Sequence, residues 1–405
     1  MNSIIRRWLL SLLFTLPSTG LCAAEKPSDD ITVAAYYYPC QHPDPRWDKA
    51  KYPGFTEWDL IKQARPRFPG HKQPRVPVWG YLDESDPKVM ALKIGTAADY
   101  GVDAFIFDWY HYDDGPYLER ALDKGFLQAT NNHRIKFGLM WANHDWYDIQ
   151  GYNPADPVKL LYPGKVSRAT WDKITDLVIA RYFKHPSYWK IDGKPYFSIY
   201  EMSLFLDSFG SVQEARAGLD RFRQKTRNAG FPGLHMNAVL WGTPNLPGGK
   251  TPADWPKLCK DLALDSLTGY TWVHHGALNY GTFPVSDYEQ GRDVYLKFLD
   301  QALTNYSIPY FPNTTINWDN SPRAHPDAKW TGPAPHVVNP VMVGNTPKAF
   351  QKASQMIKDR LNSRKQPRIV TVNAWNEWPE GSILEPEVEH GYGYLEAIRA
   401  VFGAP

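Results

Sequence analysis

The stretch RIVTVNAWNEWPEG, residues 368–381, decides the fold. Four of its first five residues are β-branched, which predicts a strand. Trp378 precedes Pro379, and this disfavours a regular helix, so the residues after the strand are predicted to form a loop or irregular turn. A strand that ends in a loop with two glutamates, Glu377 and Glu380, is typical of α/β barrels, whose active sites lie at the carboxyl ends of their strands.

Short apolar, β-rich runs alternate with longer amphipathic stretches along the rest of the chain. This alternation predicts a parallel sheet with crossover helices. The predicted strands are 31–38, 102–108, 135–142, 194–200, 234–241, 265–270, 308–314 and 368–373. The predicted helices are 87–100, 117–130, 171–183, 211–228, 285–304, 346–363 and 392–402. Eight strands in this order favour an α/β fold, a (β/α)8 TIM barrel formed by residues 25–405 as a single domain.

Residues 242–264 are the weakest part of this pattern, because they are rich in proline and glycine and show only a short helical stretch from Trp255 to Leu262. Long polar segments, 39–86, 143–170 and 315–345, follow the first, third and seventh predicted strands and are expected to be βα loop insertions around one cleft. The alternative architecture is a doubly wound open sheet. It is disfavoured because no glycine-rich phosphate fingerprint follows a predicted strand.

The first residues predict export. Arg6 and Arg7 precede the apolar run from Trp8 to Leu16, and Cys22-Ala23-Ala24 follows as a small-residue cleavage pattern. The apolar run is shorter than the roughly 20 residues that span a bilayer, which disfavours an uncleaved anchor. We therefore expect residues 1–24 to be a signal peptide. The mature chain is expected to be periplasmic or extracellular and not stably inserted in a membrane.

The composition favours a carbohydrate partner over nucleic acid. The formal net charge is +2, and charges of both signs are mixed along the chain, which argues against a nucleic-acid surface. Aromatic residues make up 14% of the chain, with 16 Trp and 24 Tyr. A pyranose has an apolar C–H face and a rim of hydroxyls, so aromatic rings beside polar groups suit it. A tryptophan-rich core is the structural alternative for part of this set.

Metal, thiol and serine chemistry have little support. The adjacent His274 and His275 lack a helical His pair or CxxC partner, no Gly-x-Ser-x-Gly elbow is present, and no metal or cofactor is expected. After signal removal only Cys40 and Cys259 remain, so at most one disulfide is expected and neither thiol is given a role. The oligomeric state is not predicted.

Aromatic and polar residues follow nearly every predicted strand, where a barrel would bring them to one point. The side chains expected to bind substrate are Tyr37, Asp108, Trp109, Tyr110, Trp141, Asn143, Tyr200, Trp241, Tyr270, Trp272, Trp318, Asn373, Trp375 and Asn376. For Asp108 and Asn143, a capping or ion-pair role is an equally good interpretation.

Glu377 and Glu380 are the expected catalytic residues. Cleavage of a glycosidic bond needs one carboxyl that donates a proton and a second that acts as nucleophile or base, and two glutamates at one strand end meet that need. The alternative is that both are solvated loop acids, which is the usual state of glutamate. Their aromatic and amide neighbours oppose it, because such a setting desolvates a carboxyl.

Several segments, in order from the first strand to the last, resemble the WbsX-like proteins, which are related to glycoside hydrolase family 99. They are AYYYP at 35–39, GFTEW at 54–58, FPGH at 68–71, QP at 73–74, GVDAF at 101–105, WAN at 141–143, NAWNEW at 373–378, EG at 380–381 and LEP at 384–386. The chain has Pro379 where family 99 enzymes typically have His.

The resemblance implies a (β/α)8 fold and endo-acting, retaining hydrolysis of an α-mannoside-like sugar. It implies that Glu377 deprotonates the 2-hydroxyl of the sugar, giving a 1,2-anhydro intermediate, and that Glu380 is the general acid and then the base. WbsX-like proteins have also been labelled glycosyltransferases, so a transferase is one alternative and a non-catalytic carbohydrate-binding barrel is another. Basic residues in the first long loop, Arg65, Arg67, His71, Lys72 and Arg75, either face solvent or bind an anionic glycan.

Overall fold

The computed structural model describes residues 30–333 and 337–403 and shows a closed parallel barrel, so the predicted signal peptide lies outside the described residues. The barrel strands are β1 (Thr32–Tyr37), β2 (Ala104–Tyr112), β3 (Lys136–Trp141), β4 (Lys194–Ile199), β5 (His235–Val239), β6 (Ser266–Thr268), β7 (Tyr310–Phe311), β8 (Asn313–Thr315) and β9 (Ile369–Asn373).

The sheet closes through the proline between β7 and β8. Successive strands pair in parallel from β1 to β7, and β9 pairs with β1. Pro312 alone separates β7 from β8, and β8 pairs with β9. The Pro312 carbonyl still accepts from Thr371 N at 2.8 Å, so β7 and β8 act as one interrupted strand. The predicted barrel is confirmed, and the closed sheet excludes a doubly wound open sheet.

Helices follow the strands around the barrel. They are α1 (Pro45–Ala50), α2 (Trp58–Gln63), α3 (Pro87–Asp99), α4 (Arg168–Val178), α5 (Met202–Phe209), α6 (Val212–Asn228), α7 (Trp255–Leu262), α8 (Tyr288–Asn305), α9 (Pro347–Asn362) and α10 (Gly393–Phe402). Several begin at a residue whose side chain accepts from a backbone N–H of the first turn, such as Ser167, Ser211 and Thr346. Such caps explain why the predicted starts of α6 and α9 are correct to about one residue.

The predicted elements differ from the structure in several places. The helix predicted at 117–130 is only a π-helical turn, Ala121–Phe126, and α4 continues into a second such turn, Ile179–Phe183. Helices α1, α2 and α5 were not predicted. Strand β2 runs four residues beyond its predicted end, so Trp109 to Tyr112 belong to a strand rather than to a loop.

The buried side chains form two layers, because side chains alternate between the two faces of each strand. Tyr36, Ile106 and Met140 belong to the cluster inside the barrel, whereas Phe105 and Phe107 belong to the cluster between the barrel and the helices. Alternate residues of a strand point to opposite faces, so neighbours in sequence enter different layers. No helix of the described residues is long and apolar enough to cross a bilayer.

The three long loops follow strands, as predicted, and short elements occur both in these loops and in other connections outside the barrel. Short strands outside the barrel are Gly115–Tyr117, Trp146–Tyr147, Leu160–Tyr162, Lys190–Ile191, Val285–Asp287, Val341–Val343, Asn376–Glu377 and Ser382–Ile383. Turns of 3-10 helix are Asn132–Arg134, Trp272–His275, Ala277–Asn279, Ser321–Arg323 and Trp378–Glu380. These loops bring residues from distant parts of the chain to the carboxyl end of β9.

Candidate active site

Glu377 and Glu380 lie on a tight hairpin directly after β9. Residues 376–377 pair antiparallel with 382–383, and a 3-10 turn over 378–380 joins them. Gly381 closes the turn at φ 65°, where a Cβ would lie 2.9 Å from Asn317 Nδ2, so only glycine fits. The two glutamates are 3% and 9% exposed. The interpretation of this pair as solvated loop acids is therefore wrong.

Arg323 joins the two glutamates. Its Nη1 lies 2.7 Å from Glu380 Oε1, and its Nη2 lies 3.4 Å from Glu377 Oε2. The guanidinium carries its charge permanently and offers a planar fork of donors, so it orients both carboxyls as well as attracting them. The other oxygen of Glu380, Oε2, is buried and has no hydrogen-bond partner within residues 30–333 and 337–403.

A third buried carboxylate, that of Glu57, also lies close to Arg323. Glu57 Oε1 lies 3.7 Å from Arg323 Nε and accepts from Gln150 Nε2 at 2.9 Å and from the Tyr38 hydroxyl at 3.3 Å. The Arg323 guanidinium also lies 5.5 Å from the centre of the Tyr38 ring. One cation is thus shared by three acids, Glu57, Glu377 and Glu380.

The Tyr270 hydroxyl lies between two further carboxyl oxygens. It is 2.9 Å from Asp108 Oδ2 and 3.0 Å from Glu377 Oε1. Burial raises the pKa of Tyr270 well above its ordinary value, and the acids Asp108, Glu377 and Glu380 raise it further, so the side chain is a neutral phenol. Tyr270 therefore connects the middle of β2 to the hairpin that carries Glu377 through hydrogen bonds.

The pKa values of Glu377 and Glu380 are both raised above those of ordinary glutamates. Burial raises the pKa of Glu377 well above its usual value, and the charge of Glu380 raises it further while Arg323 opposes both. Burial also raises the pKa of Glu380, and Arg323 opposes that effect as well. Two carboxyls so close resist being ionised together. A pair that holds one proton between its two carboxyls is suited to acid–base catalysis.

A cavity of about 300 Å³ opens onto these groups. Seven residues expected in the site line it: Asp108, Tyr110, Tyr200, Trp241, Tyr270, Glu377 and Glu380. The lining also includes Tyr38, Met140, Ala142, His144, Asp145, Trp146, Tyr147, Ile149, Gln150 and Arg323. The cavity thus combines aromatic walls with carboxyls, amide and imidazole, the mixture that was expected of a sugar site.

Five aromatic residues expected to bind substrate lie outside the cavity lining, so their assignment was wrong. Tyr37, Trp109, Trp141, Trp272 and Trp375 pack in the layer between the barrel and the helices. Trp109, for example, packs edge-on against Tyr182, and Trp141 packs against Trp171. For the residues on β1, β2 and β3 the physical reason is strand alternation: Tyr38, Asp108 and Tyr110 point inward, so their neighbours point outward.

Four other expected binding residues support the site instead of lining the cavity. Asn143 exchanges two hydrogen bonds of 2.8 Å with the backbone of Glu201. Asn376 exchanges hydrogen bonds of 2.8 and 2.7 Å with the backbone of Tyr38. The remaining two are Trp318, which is half-buried against the outer layer, and Asn373, whose carbonyl accepts from Ser382 Oγ at 2.6 Å.

Sequence reasoning missed Arg323, Glu57 and Tyr38. Glu57 and Tyr38 lie within or beside the segments that carry the family resemblance, and Tyr38 could have been found from the alternation of β1. Arg323 lies in a long loop without periodic pattern. No local signal identifies it, because its partners come from other parts of the chain.

Buried charges anchor the hairpin from behind. Lys93 Nζ lies 2.8 Å from Glu385 Oε1, 3.2 Å from Glu84 Oε2 and 3.0 Å from the Tyr37 hydroxyl, and all these side chains are buried. This explains the position of Tyr37, which was expected to bind substrate. A buried lysine is tolerated only when it is paired and hydrogen-bonded in this way.

Each acid partner of Lys93 holds one neighbour of Glu377. Glu84 Oε2 accepts from Asn376 Nδ2 at 3.2 Å, and Glu385 Oε2 accepts from Trp378 Nε1 at 2.7 Å. Because Asn376 and Trp378 flank Glu377 in the chain, the two contacts fix the backbone on both sides of it. We call Glu84, Lys93 and Glu385 the anchoring triad.

The basic residues of the first long loop mostly hold structure. Arg67 donates to five backbone carbonyls of residues 321–328, the segment that carries Arg323. His71 lies 2.9 Å from Asp319 Oδ2. Arg65 and Lys72 are exposed and lie 3.7 Å from Asp327 and Glu389, respectively. None of these basic residues, nor Arg75, lines the cavity beside the glutamates.

Two other predictions concern cysteines and metals. Cys40 and Cys259 are buried free thiols, so they form no disulfide with each other. Within the described residues, one group with metal-ligand geometry was found, Glu387, Glu389 and His390, and it does not line the cavity. His390 Nδ1 already lies 2.7 Å from Glu387 Oε1.

Solved structures share the fold at low sequence identity. A GH99 endo-alpha-mannosidase from Bacteroides thetaiotaomicron matches with a TM-score of 0.54 and 16% identity, covering 92% of this chain and 95% of that one. A glycoside hydrolase-like protein matches with a TM-score of 0.56 and 17% identity, covering 95% and 98%. These likenesses show the same barrel.

A curated sequence relative and a family model each match nearly the whole chain. The uncharacterized protein WxcX of Xanthomonas campestris pv. campestris (strain B100) is 26% identical over 387 residues, which cover 91% of this chain and 49% of that protein. The chain therefore spans about half the length of the curated relative. The family model described as "Glycosyltransferase WbsX" matches residues 33–398, and the chain belongs to that family.

Proposed function

We propose that this chain is a glycoside hydrolase that cleaves a polysaccharide or oligosaccharide, with retention and endo-action, at the carboxyl pair Glu377 and Glu380. The observation that carries the proposal is the pair itself. Two buried carboxyls on one turn face an aromatic-walled cavity and are oriented by one guanidinium. The substrate class that we propose is an α-mannoside-like sugar, in keeping with the endo-alpha-mannosidase that shares the barrel.

The first step that we propose uses the substrate's own 2-hydroxyl. Glu377 takes the proton of that hydroxyl. The 2-oxygen of the sugar then bonds to C1, and the bond from C1 to the leaving oxygen breaks. Glu380 gives its proton to the leaving oxygen. The buried Oε2 of Glu380 has no partner in the described chain, while Oε1 is bound to Arg323, which supports Oε2 as the oxygen that carries the proton.

The second step opens the 1,2-anhydro sugar with water. Glu380, now ionised, accepts a proton from water while the water oxygen bonds to C1 on the face that the leaving group occupied. The bond between C1 and the 2-oxygen breaks, and Glu377 returns its proton to that oxygen. Two inversions give net retention, and both glutamates regain their starting protonation.

A transferase is the second candidate, because the family description names one. That activity needs a nucleotide-sugar donor, which is supplied in the cytoplasm. We propose instead that residues 1–24 direct export to the periplasm or beyond, where glycan substrates are present and the donor is not. N-terminal sequencing of the exported protein should begin at Glu25, and a cytoplasmic, uncleaved chain would favour the transferase.

Product profiling against plant, algal, fungal and bacterial glycans tests the proposal. The wild-type chain is expected to release oligosaccharides that retain the anomeric configuration, and Glu377→Gln and Glu380→Gln are expected to bind glycan without turnover. Glu389→Gln is the matched control, because Glu389 is an exposed glutamate outside the cavity. Full activity in both active-site variants would exclude hydrolysis at this pair. Turnover only with a nucleotide-sugar donor would select the transferase, and binding without any product would select a non-catalytic barrel.

A further inference from the structure

The hydroxyl group of Tyr270 contacts two acids in the cavity. The Tyr270 hydroxyl oxygen is within hydrogen-bond distance of both Asp108 Oδ2, at 2.9 Å, and Glu377 Oε1, at 3.0 Å. A neutral phenol has a single proton to donate. The other contact is favourable only when the carboxyl itself carries a proton and donates it to the Tyr270 oxygen. One of the two acids is therefore a neutral carboxylic acid.

The surroundings distinguish the two acids. Glu377 Oε2 lies 3.4 Å from Arg323 Nη2, so a cation offsets part of a negative charge on Glu377. Asp108 makes no ion pair in the described part of the chain, and its Oδ1 is buried without a hydrogen-bond partner there. An unpaired buried charge is far more costly than a neutral acid. The proton therefore belongs on Asp108.

The titratable groups around Asp108, on its own strand and on other elements, lead to the same assignment. They are acids and phenols, Glu377, Glu380, Tyr36, Tyr110, Tyr200 and Tyr270. Burial raises the pKa of Asp108 well above its ordinary value, and the hydrogen bond with Tyr270 does not outweigh this effect.

We propose that Asp108 acts as a neutral acid that donates its proton to the Tyr270 oxygen and thereby turns the Tyr270 proton toward Glu377 Oε1. Asp108 is then a positioning residue that acts through Tyr270. The hydrogen bond received from Tyr270 stabilises the ionised form of Glu377, the form that accepts the proton of the sugar 2-hydroxyl. The inference rests on the proposed function in this one respect, that Glu377 is the reacting base.

The Asp108→Asn variant distinguishes a neutral Asp108 that donates a proton from an ionised Asp108. The amide of Asp108→Asn is uncharged, has nearly the same shape and can donate to the Tyr270 oxygen. It is expected to keep kcat within about threefold of wild type, whereas Asp108→Ala, which cannot donate, is expected to lose at least tenfold. In a Tyr270→Phe background, the difference between the Asn and Ala variants should disappear, because the acceptor is gone. An Asn variant as impaired as the Ala variant would overturn the proposal.

An infrared measurement tests the protonation state without any turnover. The difference spectrum between the wild-type chain and Asp108→Asn at neutral pH is expected to show the loss of one protonated-carboxyl C=O band. Loss of an ionised-carboxylate band instead would overturn the inference. This result stands whether or not hydrolysis is found, so failure of the proposed function and failure of this inference are distinguishable. Near-ultraviolet circular dichroism confirms that the variant is folded.

Discussion

Trp378 donates its indole N–H to Glu385 Oε2 across 2.7 Å, and Glu385 in turn binds Lys93 at 2.8 Å. The residue after one proposed catalytic glutamate is thus tied to a buried ion pair behind the hairpin. Such a contact matters for chemistry because small errors in the position of a reacting group are costly.

We expect Trp378→Phe to lower kcat about tenfold or more with little change in KM, since the ring remains but Glu385 loses its donor and the hairpin loses a fixed point. The matched control is Trp58→Phe. Trp58 packs against Trp378 with ring centres 5.3 Å apart and also donates its indole N–H, but to the Leu82 carbonyl. The two variants should lose similar stability in urea denaturation. Equal effects on kcat would show that Trp378 contributes only to packing.

Removing the cation at Arg323 should change both rate and pH dependence. We expect Arg323→Met to lower kcat by about a hundredfold, because a preorganised charge at the proposed reacting carboxyls is lost. Without that charge the pKa of Glu377 rises further, so the acid limb of the kcat/KM profile should move to higher pH. Arg323→Lys keeps the charge and should leave the limb nearer to that of wild type. An unmoved limb in the Met variant would contradict the assigned electrostatics.

Asp319 should contribute stability that disappears in acid. Burial opposes its ionisation, but hydrogen bonding and charge from His71 outweigh this and lower the pKa of Asp319 to about 2. A folded-state pKa below the unfolded value gives stability that is fully present above about pH 4 and is lost as the pH falls through 2. The shift corresponds to about 2 kcal/mol.

Urea denaturation of wild type and Asp319→Asn measures this contribution. The variant should be less stable by about 2 kcal/mol at pH 6, and the difference should shrink as the pH approaches 2. Asp114→Asn is the control, because Asp114 is exposed and its pair with Arg46 at 2.8 Å lies at the surface. A difference at pH 6 that does not change with pH would mean that Asp319 acts through shape rather than charge.

The barrel was predictable because its determinants are local. Alternating β-rich runs and amphipathic helices, with caps such as Ser211 and Thr346, are set by neighbours in the chain. The glutamate pair was predictable for the same reason, since both residues directly follow β9. The aromatic and polar character of the site could also be inferred, because each strand end contributes to one face of a barrel.

The assignment of individual strand-end residues to the site was wrong where a shift of one position along the strand changes the face on which a side chain lies. Trp109 was placed in the site because β2 was expected to end earlier, whereas the strand continues through Tyr112 and alternation turns Trp109 outward. A shift of one residue exchanges the two faces of a strand, and residue type does not reveal it, because tryptophan suits both a buried layer and a sugar platform.

The sequence by itself determined the fold class, the order of the strands and the place of the carboxyl pair, because these depend on residues close together in the chain. Tertiary structure alone decided that Arg323 pairs with Glu377 and Glu380, that Glu57 shares this cation, and that Tyr270 lies between two acids. These contacts join loops whose residues are distant in sequence. Their energies depend on burial and on distances of a few ångströms, which no local pattern specifies.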